Sequence, residues 1–168
     1  MKKYKFNPFD SDQQRFERIW ASLEGVSNHL SGIGDSQGED AQEFFVNTLQ
    51  ADKNIGGLQF EALHSQVKGG MPGQQQEYDI LLESRASVAV IEVKYKFRKS
   101  DLAQLDAQLK RLKKDFPSYR RKHVYGGIAG FSIRTEVADL ARRKGYFVLR
   151  RKGQLIRIEA NDMKKTDH

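Results

Sequence analysis

Three side chains near the middle of the sequence, Asp79, Glu92 and Lys94, have the types and spacing to hold and use a cation. Glu92 and Lys94 fall inside Ser87–Lys96, SVAVIEVKYK, where Val88, Ala89, Val90, Ile91 and Val93 form an apolar run of strand length. A run apolar at consecutive positions suits a strand covered on both faces. Side chains alternate across a strand, so Glu92 and Lys94 share one face beside buried neighbours. If the preceding segment Glu77–Glu83 pairs with this strand through a tight turn centred between Arg85 and Ala86, Asp79 stands opposite Glu92. Two carboxylates so close raise each other's pKa unless a positive group lies between them, and a divalent metal is the usual solution. Oxygen-only donors favour Mg²⁺ or Mn²⁺ over zinc. Taken alone, a Glu-x-Lys on a strand also reads as a salt bridge.

The 168 residues suit one domain with its own core. No segment is long and apolar enough to cross a membrane, and Met1-Lys2-Lys3 is followed by polar residues, so the expectation is a cytoplasmic protein. The chain has no cysteine, which excludes disulfides, thiol catalysis and thiolate-bound metals. His29, His64, His123 and His168 lack ligand spacing, and neither a phosphate-cradling glycine loop nor a nucleophile elbow is present. A net charge of +7 and a pI near 9.6 point to an anionic partner. Lys110, Arg111, Lys113, Lys114, Arg120, Arg121 and Lys122 form one basic cluster; Arg142, Arg143, Lys144, Arg150, Arg151 and Lys152 form a second. Each alone reads more readily as a solvated face, and two flanking a metal site point to a phosphate backbone. Tyr95 and Phe97, set among Lys96, Arg98 and Lys99, could contact nucleic acid or pack in the core.

The elements that must position these residues follow from periodicity. Residues 11–31 read as a helix capped by Ser11, with Phe16, Ile19, Trp20, Leu23, Val26 and Leu30 on one stripe. Ser31–Gly38 reads as a hinge, and Glu39–Gln50 as a second helix carrying Glu39 and Glu43 on one face. Residues 51–57 form a loop, Leu58–Val67 a first strand, and Lys68–Gln76 a mobile, breaker-rich loop placed where it could cover a substrate. After the central strand, Ser100 caps a helix with Leu102, Leu105, Leu109, Leu112 and Phe116 on its apolar face and Gln104, Gln108 and the lysines on its other faces, ending before Pro117. Val124–Ile133 is a strand reached by a crossover and therefore parallel to the central one, and Gly126, Gly127 and Gly130 imply close approach of a neighbour. Thr135 caps a fourth helix stopped by Gly145, and Tyr146–Arg150 and Leu155–Ile158 pair around Lys152-Gly153.

This order of elements, with Asp79 and Glu92-Val93-Lys94, resembles the PD-(D/E)XK nuclease superfamily, the restriction-endonuclease-like fold that also contains Holliday-junction resolvases. The resemblance runs from about Gly38 to Ile158 and is nearest to bacterial members that begin with a helical arm. Asp79 stands for the family's acidic residue and Glu92-Val93-Lys94 for its (D/E)-X-K element. The helix with Gln104 and Gln108 resembles the following helix, which often carries a site glutamine. GEDAQEFF resembles the leading helix, with Glu43 the first choice for its glutamate and Glu39 the second. Tyr78 departs from the pattern, standing where the namesake proline would be.

What the resemblance implies is an α/β domain with a central mixed sheet flanked by helices over residues 38–160, an N-terminal helical arm over 1–37 and a tail over 161–168. It further implies Mg²⁺- or Mn²⁺-dependent hydrolysis of DNA phosphodiesters, in restriction, repair or recombination. Asp79, Glu92 and the Val93 carbonyl would hold the metal, Glu43 would bind through water or a second ion, and Lys94 would orient water or stabilise charge on the phosphorane. By analogy with enzymes that cut two strands, a homodimer is expected, with the N-terminal helix as a candidate contact. A DNA-binding module without catalysis and an interaction protein acting through residues 11–31 are the alternatives.

Overall fold

The structure is a computed structural model that describes residues 36–159. The chain divides into two compact units, Met1–Gln37 and Gly38–His168, and nearly all described residues belong to the second. The expected helix over 11–31, its role in a dimer and the tail over 161–168 lie outside the described residues.

Residues 36–51 are helical (α1), so residues 36–38, expected in a hinge, already belong to the helix. Then come β1 (Asn54–Ile55), β2 (Leu58–Gln59), β3 (Ala62–Gly69), β4 (Gln76–Glu83), β5 (Ser87–Phe97), α2 (Leu102–Asp115), β6 (His123–Ile133), α3 (Thr135–Arg143), β7 (Phe147–Lys152) and β8 (Leu155–Glu159). Strands β3 to β8 form one six-stranded sheet in sequence order. The β3–β4, β4–β5 and β7–β8 pairs are antiparallel, while β5–β6 and β6–β7 are parallel, as their helical crossovers require. The domain is thus α/β, with a mixed sheet flanked by helices.

Strand β5 is buried on both faces. Val88 and Val90 join a core with Leu105, Leu109 and Leu112 of α2 and Val137, Ala138 and Ala141 of α3. Ala89, Ile91 and Val93 join a second core with Ala41, Phe45 and Leu49 of α1. The two layers explain the unbroken apolar run, and they leave Glu92 no solvent on either side. At Gly126 and Gly127 the crowded neighbours are identified: a β-carbon at Gly126 would lie 2.8 Å from both Leu109 and Tyr146, and one at Gly127 would lie 2.6 Å from Ile91. Helix α2 can therefore sit low over β6.

Several expected boundaries are corrected. The strand expected over 58–67 is two strands, because Gly56 and Gly57 take positive φ and fold Leu58–Gln59 back onto Asn54–Ile55 within the expected loop. Ser100 does not cap α2. It lies in a 3₁₀ turn, Lys99–Asp101, and the Asp101 carboxylate accepts from the Arg98 amide at 2.7 Å. Thr135 is the first residue of α3, not its cap, and the amides of Val137 and Ala138 donate to the Arg134 carbonyl. The breaker-rich loop is shorter than expected and anchored: Arg111 donates to the Gln74 carbonyl at 2.8 Å, and Gly69 lies against the Phe116 ring.

Candidate active site

The β4–β5 hairpin has the register that faces Asp79 toward Glu92. Its pairs run from Glu83↔Val88 to Ile80↔Ile91, and the ladder stops one residue before Asp79 and Glu92 would meet. The β3–β4 ladder is interrupted at the same place, skipping Gln66 and Asp79 between Ser65↔Ile80 and Val67↔Tyr78. Gln66 there has φ +52, a left-handed conformation uncommon for a residue with a β-carbon. Strict alternation would put Tyr78 in the same layer as Ile80. Instead Tyr78 joins the α2 layer with Leu81, while Ile80 and Leu82 lie in the α1 layer. Strand β4 therefore rotates at Asp79 and leaves β5.

That departure frees the Val93 amide from the ladder, and it donates to the Asp79 carboxylate at 2.8 Å. Glu92 is fully buried. One of its oxygens lies 2.7 Å from the Lys94 ammonium, and the other accepts from Gln108 Nε2 of α2 at 2.8 Å. The same Gln108 nitrogen donates to the Glu77 carbonyl at 3.1 Å, tying α2 to both strands of the site. Gln108 Oε1 is buried with no hydrogen-bond partner among the described residues. Lys94 keeps about a third of its side chain exposed, so the site opens to solvent at its ammonium end.

The electrostatics follow from this geometry. Burial, then the charge of Asp79, pushes the Glu92 carboxyl from its ordinary 4.5 up to about 6, against the opposing pull of Lys94 and Gln108. Asp79 is also raised, by burial first, although the Val93 amide and Lys94 pull the other way. Burial alone would lower Lys94; its hydrogen bond and charge interaction with Glu92, helped by Asp79, hold it above its ordinary value instead. One ammonium thus faces two carboxylates, and both acids are harder to ionise than in water. An all-oxygen donor set short of positive charge fits a hard divalent cation. Among the described residues, however, no group of three or more acidic, histidine or cysteine side chains converges as a ready-made metal cage.

The remaining sequence-predicted residues are distributed more widely. Glu43 and Glu39 are exposed on α1 and line a shallow groove of about 270 Å³ with Gln42, Ser65 and Gln66. Gln42, which the sequence did not single out, reaches the site from α1, its side-chain amide donating to the Asp79 carbonyl at 3.5 Å. Of the two glutamines on α2, Gln108 enters the site and Gln104 is exposed. In the first basic cluster, Lys122 is bound to Glu83 and the Ser84 carbonyl, and Arg111 to Asp115 and Gln74. Lys110, Lys114, Arg120 and Arg121 are exposed, Lys113 is half-buried, and none of the five has an ion pair among the described residues. In the second cluster Arg142 pairs with Asp139 and Glu159, and Lys144 with Asp106. Asp115, which holds the Tyr78 hydroxyl at 2.7 Å, also escaped sequence reading; no local pattern marks it.

Comparison with protein-family models and with curated proteins finds no match. Among solved structures, a repair endonuclease from Pyrococcus abyssi is similar at 15% identity and a TM-score of 0.47, covering 66% of this chain and 46% of that one. An EndoMS–dsDNA complex is similar at 13% identity and a TM-score of 0.44, covering 67% and 44%. The chain thus spans less than half the length of either protein.

Proposed function

We propose that this chain is a metal-dependent endonuclease of the PD-(D/E)XK type that hydrolyses DNA phosphodiester bonds. One observation carries the reading: a fully buried Glu92, paired with Lys94, is held beside a second carboxylate at the point where two strands part. A carboxylate pair with one member fully buried and the other half-buried, served by one cation, is costly to keep for structure alone. The same charges are useful where a phosphate and a metal must be held together.

Asp79 and Glu92, with the Val93 carbonyl, are the residues that would hold Mg²⁺ or Mn²⁺. When bound, the ion polarises the scissile phosphate and makes a bound water more acidic. The Val93 amide and Gln108 each fix one carboxylate by a hydrogen bond, so neither must reorganise when substrate arrives. Lys94, with its exposed ammonium end, donates to a phosphate oxygen or to the attacking water and offsets charge that grows during displacement. Lys110, Lys113, Lys114, Arg120 and Arg121 supply contacts to the phosphate backbone. Cutting both strands of a duplex calls for two such sites, which a homodimer provides.

The test is titration of Mg²⁺ and Mn²⁺ into the wild type and Asp79→Asn, followed by incubation with plasmid and branched DNA. Asp79→Asn keeps an acceptor for the Val93 amide and removes the charge. Metal binding and cleavage in the wild type, both lost in the variant, support the reading. Intact DNA binding without cleavage under either metal would replace it with a non-catalytic DNA-binding module.

A further inference from the structure

Tyr95 directly follows Lys94 in β5, and the two side chains leave opposite faces of the sheet. Lys94 meets Glu92 on the α2 side, whereas the Tyr95 ring packs on Phe131 of β6, with centroids 5.3 Å apart. Phe131 is the hub of an aromatic group on the α1 side. It meets Phe44 edge-on at 5.4 Å, and the Arg151 guanidinium lies 4.6 Å from the centroid of Phe131 and 4.8 Å from that of Phe44. Tyr95, Phe131 and Arg151 each come one residue after the register Lys94↔Gly130↔Arg150. They therefore form a row across the C-terminal ends of three parallel strands, where open sheets of this kind bind ligands.

The row is not closed off as core. Tyr95 is 36% exposed, Arg151 is exposed and Phe131 is only half-buried, whereas Phe97, two residues further along, is 1% exposed and belongs to the core. Lys96, Arg134 and Lys152 are exposed nearby in the sequence of the same three strand ends. An exposed aromatic ring, a guanidinium against two neighbouring rings and exposed basic residues at the same strand ends form the chemistry that recognises the flat face of a nucleobase on a phosphate chain. In a continuous duplex those faces are stacked on neighbouring bases and only edges are offered. A ring such as Tyr95 can be used only by a base that is out of the stack.

We propose that Tyr95, backed by Phe131 and Arg151, is a stacking platform for an unpaired base of the DNA strand whose phosphate lies at Lys94. Because the two side chains leave opposite faces, a strand that meets Lys94 reaches the Tyr95 ring by passing round the C-terminal end of the sheet. The inference rests on the nuclease reading for the identity of the ligand, and it specifies the substrate: DNA with an unpaired or single-stranded nucleotide beside the cut, in preference to continuous duplex.

The test uses the full chain in EDTA and measures fluorescence anisotropy with three probes: a short oligothymidine, the same strand carrying abasic sites, and a blunt duplex. Tyr95→Ala weakens oligothymidine binding about tenfold, the worth of one stacked base, and leaves the abasic strand and the duplex unchanged. Tyr95→Trp retains oligothymidine affinity. Equal losses on all three probes, or no loss on oligothymidine, overturn the proposal. Because no metal or cleavage enters the assay, Tyr95-dependent oligothymidine binding without metal-dependent cleavage would sink the nuclease reading and spare the platform. Failure of the wild type to bind any of the probes overturns the platform and leaves the nuclease reading to its own metal titration.

Discussion

Glu92→Gln separates a working carboxylate from a structural one. Because its folded-state pKa is raised, the folded protein binds the proton more tightly than the unfolded chain. Its contribution to stability is therefore fully present below 4.5 and is lost as pH rises through about 6. The interval between those values corresponds to about 2 kcal/mol of stability given up at pH 8. Replacing the carboxylate by an amide of the same shape removes that cost and also relieves Asp79 of a neighbouring charge. The pairing with Lys94 is already included in that net shift, and it is weakened because Lys94 reaches water. The amide oxygen still accepts from Gln108. In EDTA at pH 8 the variant should be more stable by up to about 2 kcal/mol, which for a domain of this size raises Tm by roughly 4–8 °C. The gain should vanish as the pH approaches 4.5. Excess Mg²⁺ should stabilise the wild type and leave the variant unmoved. Thermal unfolding across pH 4.5–8, with and without the metal, reads all of this. If the variant is less stable than the wild type at pH 8 in EDTA, the ion pair with Lys94 outweighs the burial of Glu92, and the argument for a strained functional carboxylate fails.

Lys94→Met should lower plasmid cleavage by about 10²–10³ and make the loss of stability from pH 5 to pH 8 steeper, since Glu92 then has no ammonium beside it; unchanged cleavage would remove Lys94 from the site. Lys122→Ala should cost about 1–3 kcal/mol in urea unfolding, because it strands Glu83 and the Ser84 carbonyl, and should leave the salt dependence of DNA binding unaltered. Lys114→Ala and Arg120→Ala should do the reverse, each lowering the slope of log affinity against log salt by about one without changing stability. Tyr78→Phe deletes the bond to Asp115 that holds β4 in its rotated course and should cost about 1–2 kcal/mol, with weaker Mg²⁺ binding by calorimetry. Gly126→Ala drives a methyl into Leu109 and Tyr146 and should cost about 1–3 kcal/mol; a neutral result would mean that α2 is free to lift from the sheet.

The legible parts of the site are those governed by alternation and short turns. The Ser84–Ser87 turn is closed by its own backbone and hydroxyl bonds, and the apolar alternation of Ile80 to Leu82 against Ala89 to Ile91 allows one register. That register by itself places Asp79 toward Glu92. Gln108 was legible only through the resemblance: helical spacing set it with Gln104 and the lysines off the apolar face of α2, whereas it is buried there beside Leu105 and Leu109. What periodicity could not reveal was the fate of charges whose partners lie far along the chain. Lys122 and Glu83 are 39 residues apart, and Tyr78 and Asp115 are 37 apart. A count of lysines and arginines treats Lys122 like Lys114, although one braces the hairpin and the other is free to meet a phosphate. Glu43 and Gln42 show the same limit on α1. Helical spacing placed the glutamates together on one face, but only the packing of α1 on the sheet decides which neighbour approaches Asp79.

The departure of β4 from β5 is what turns a hairpin into a site. Had the ladder continued, β4 would have taken up the Val93 amide, and Tyr78 would have faced the α1 layer. The rotation at Asp79 instead gives that amide to a carboxylate and delivers the Tyr78 hydroxyl to Asp115. Gln66 accommodates the break from the other side with a backbone conformation that costs energy. Each of these is unfavourable or neutral for a sheet on its own: two interrupted ladders, one left-handed glutamine and two carboxylates brought together in a buried setting. They converge on a single residue pair, and the only charge the described residues place between that pair is an ammonium that also faces solvent. An arrangement stable in isolation would have closed the ladder and buried an aliphatic side chain at position 92. Under the nuclease reading proposed above, a cation and a phosphate would complete the charge balance that keeps it open.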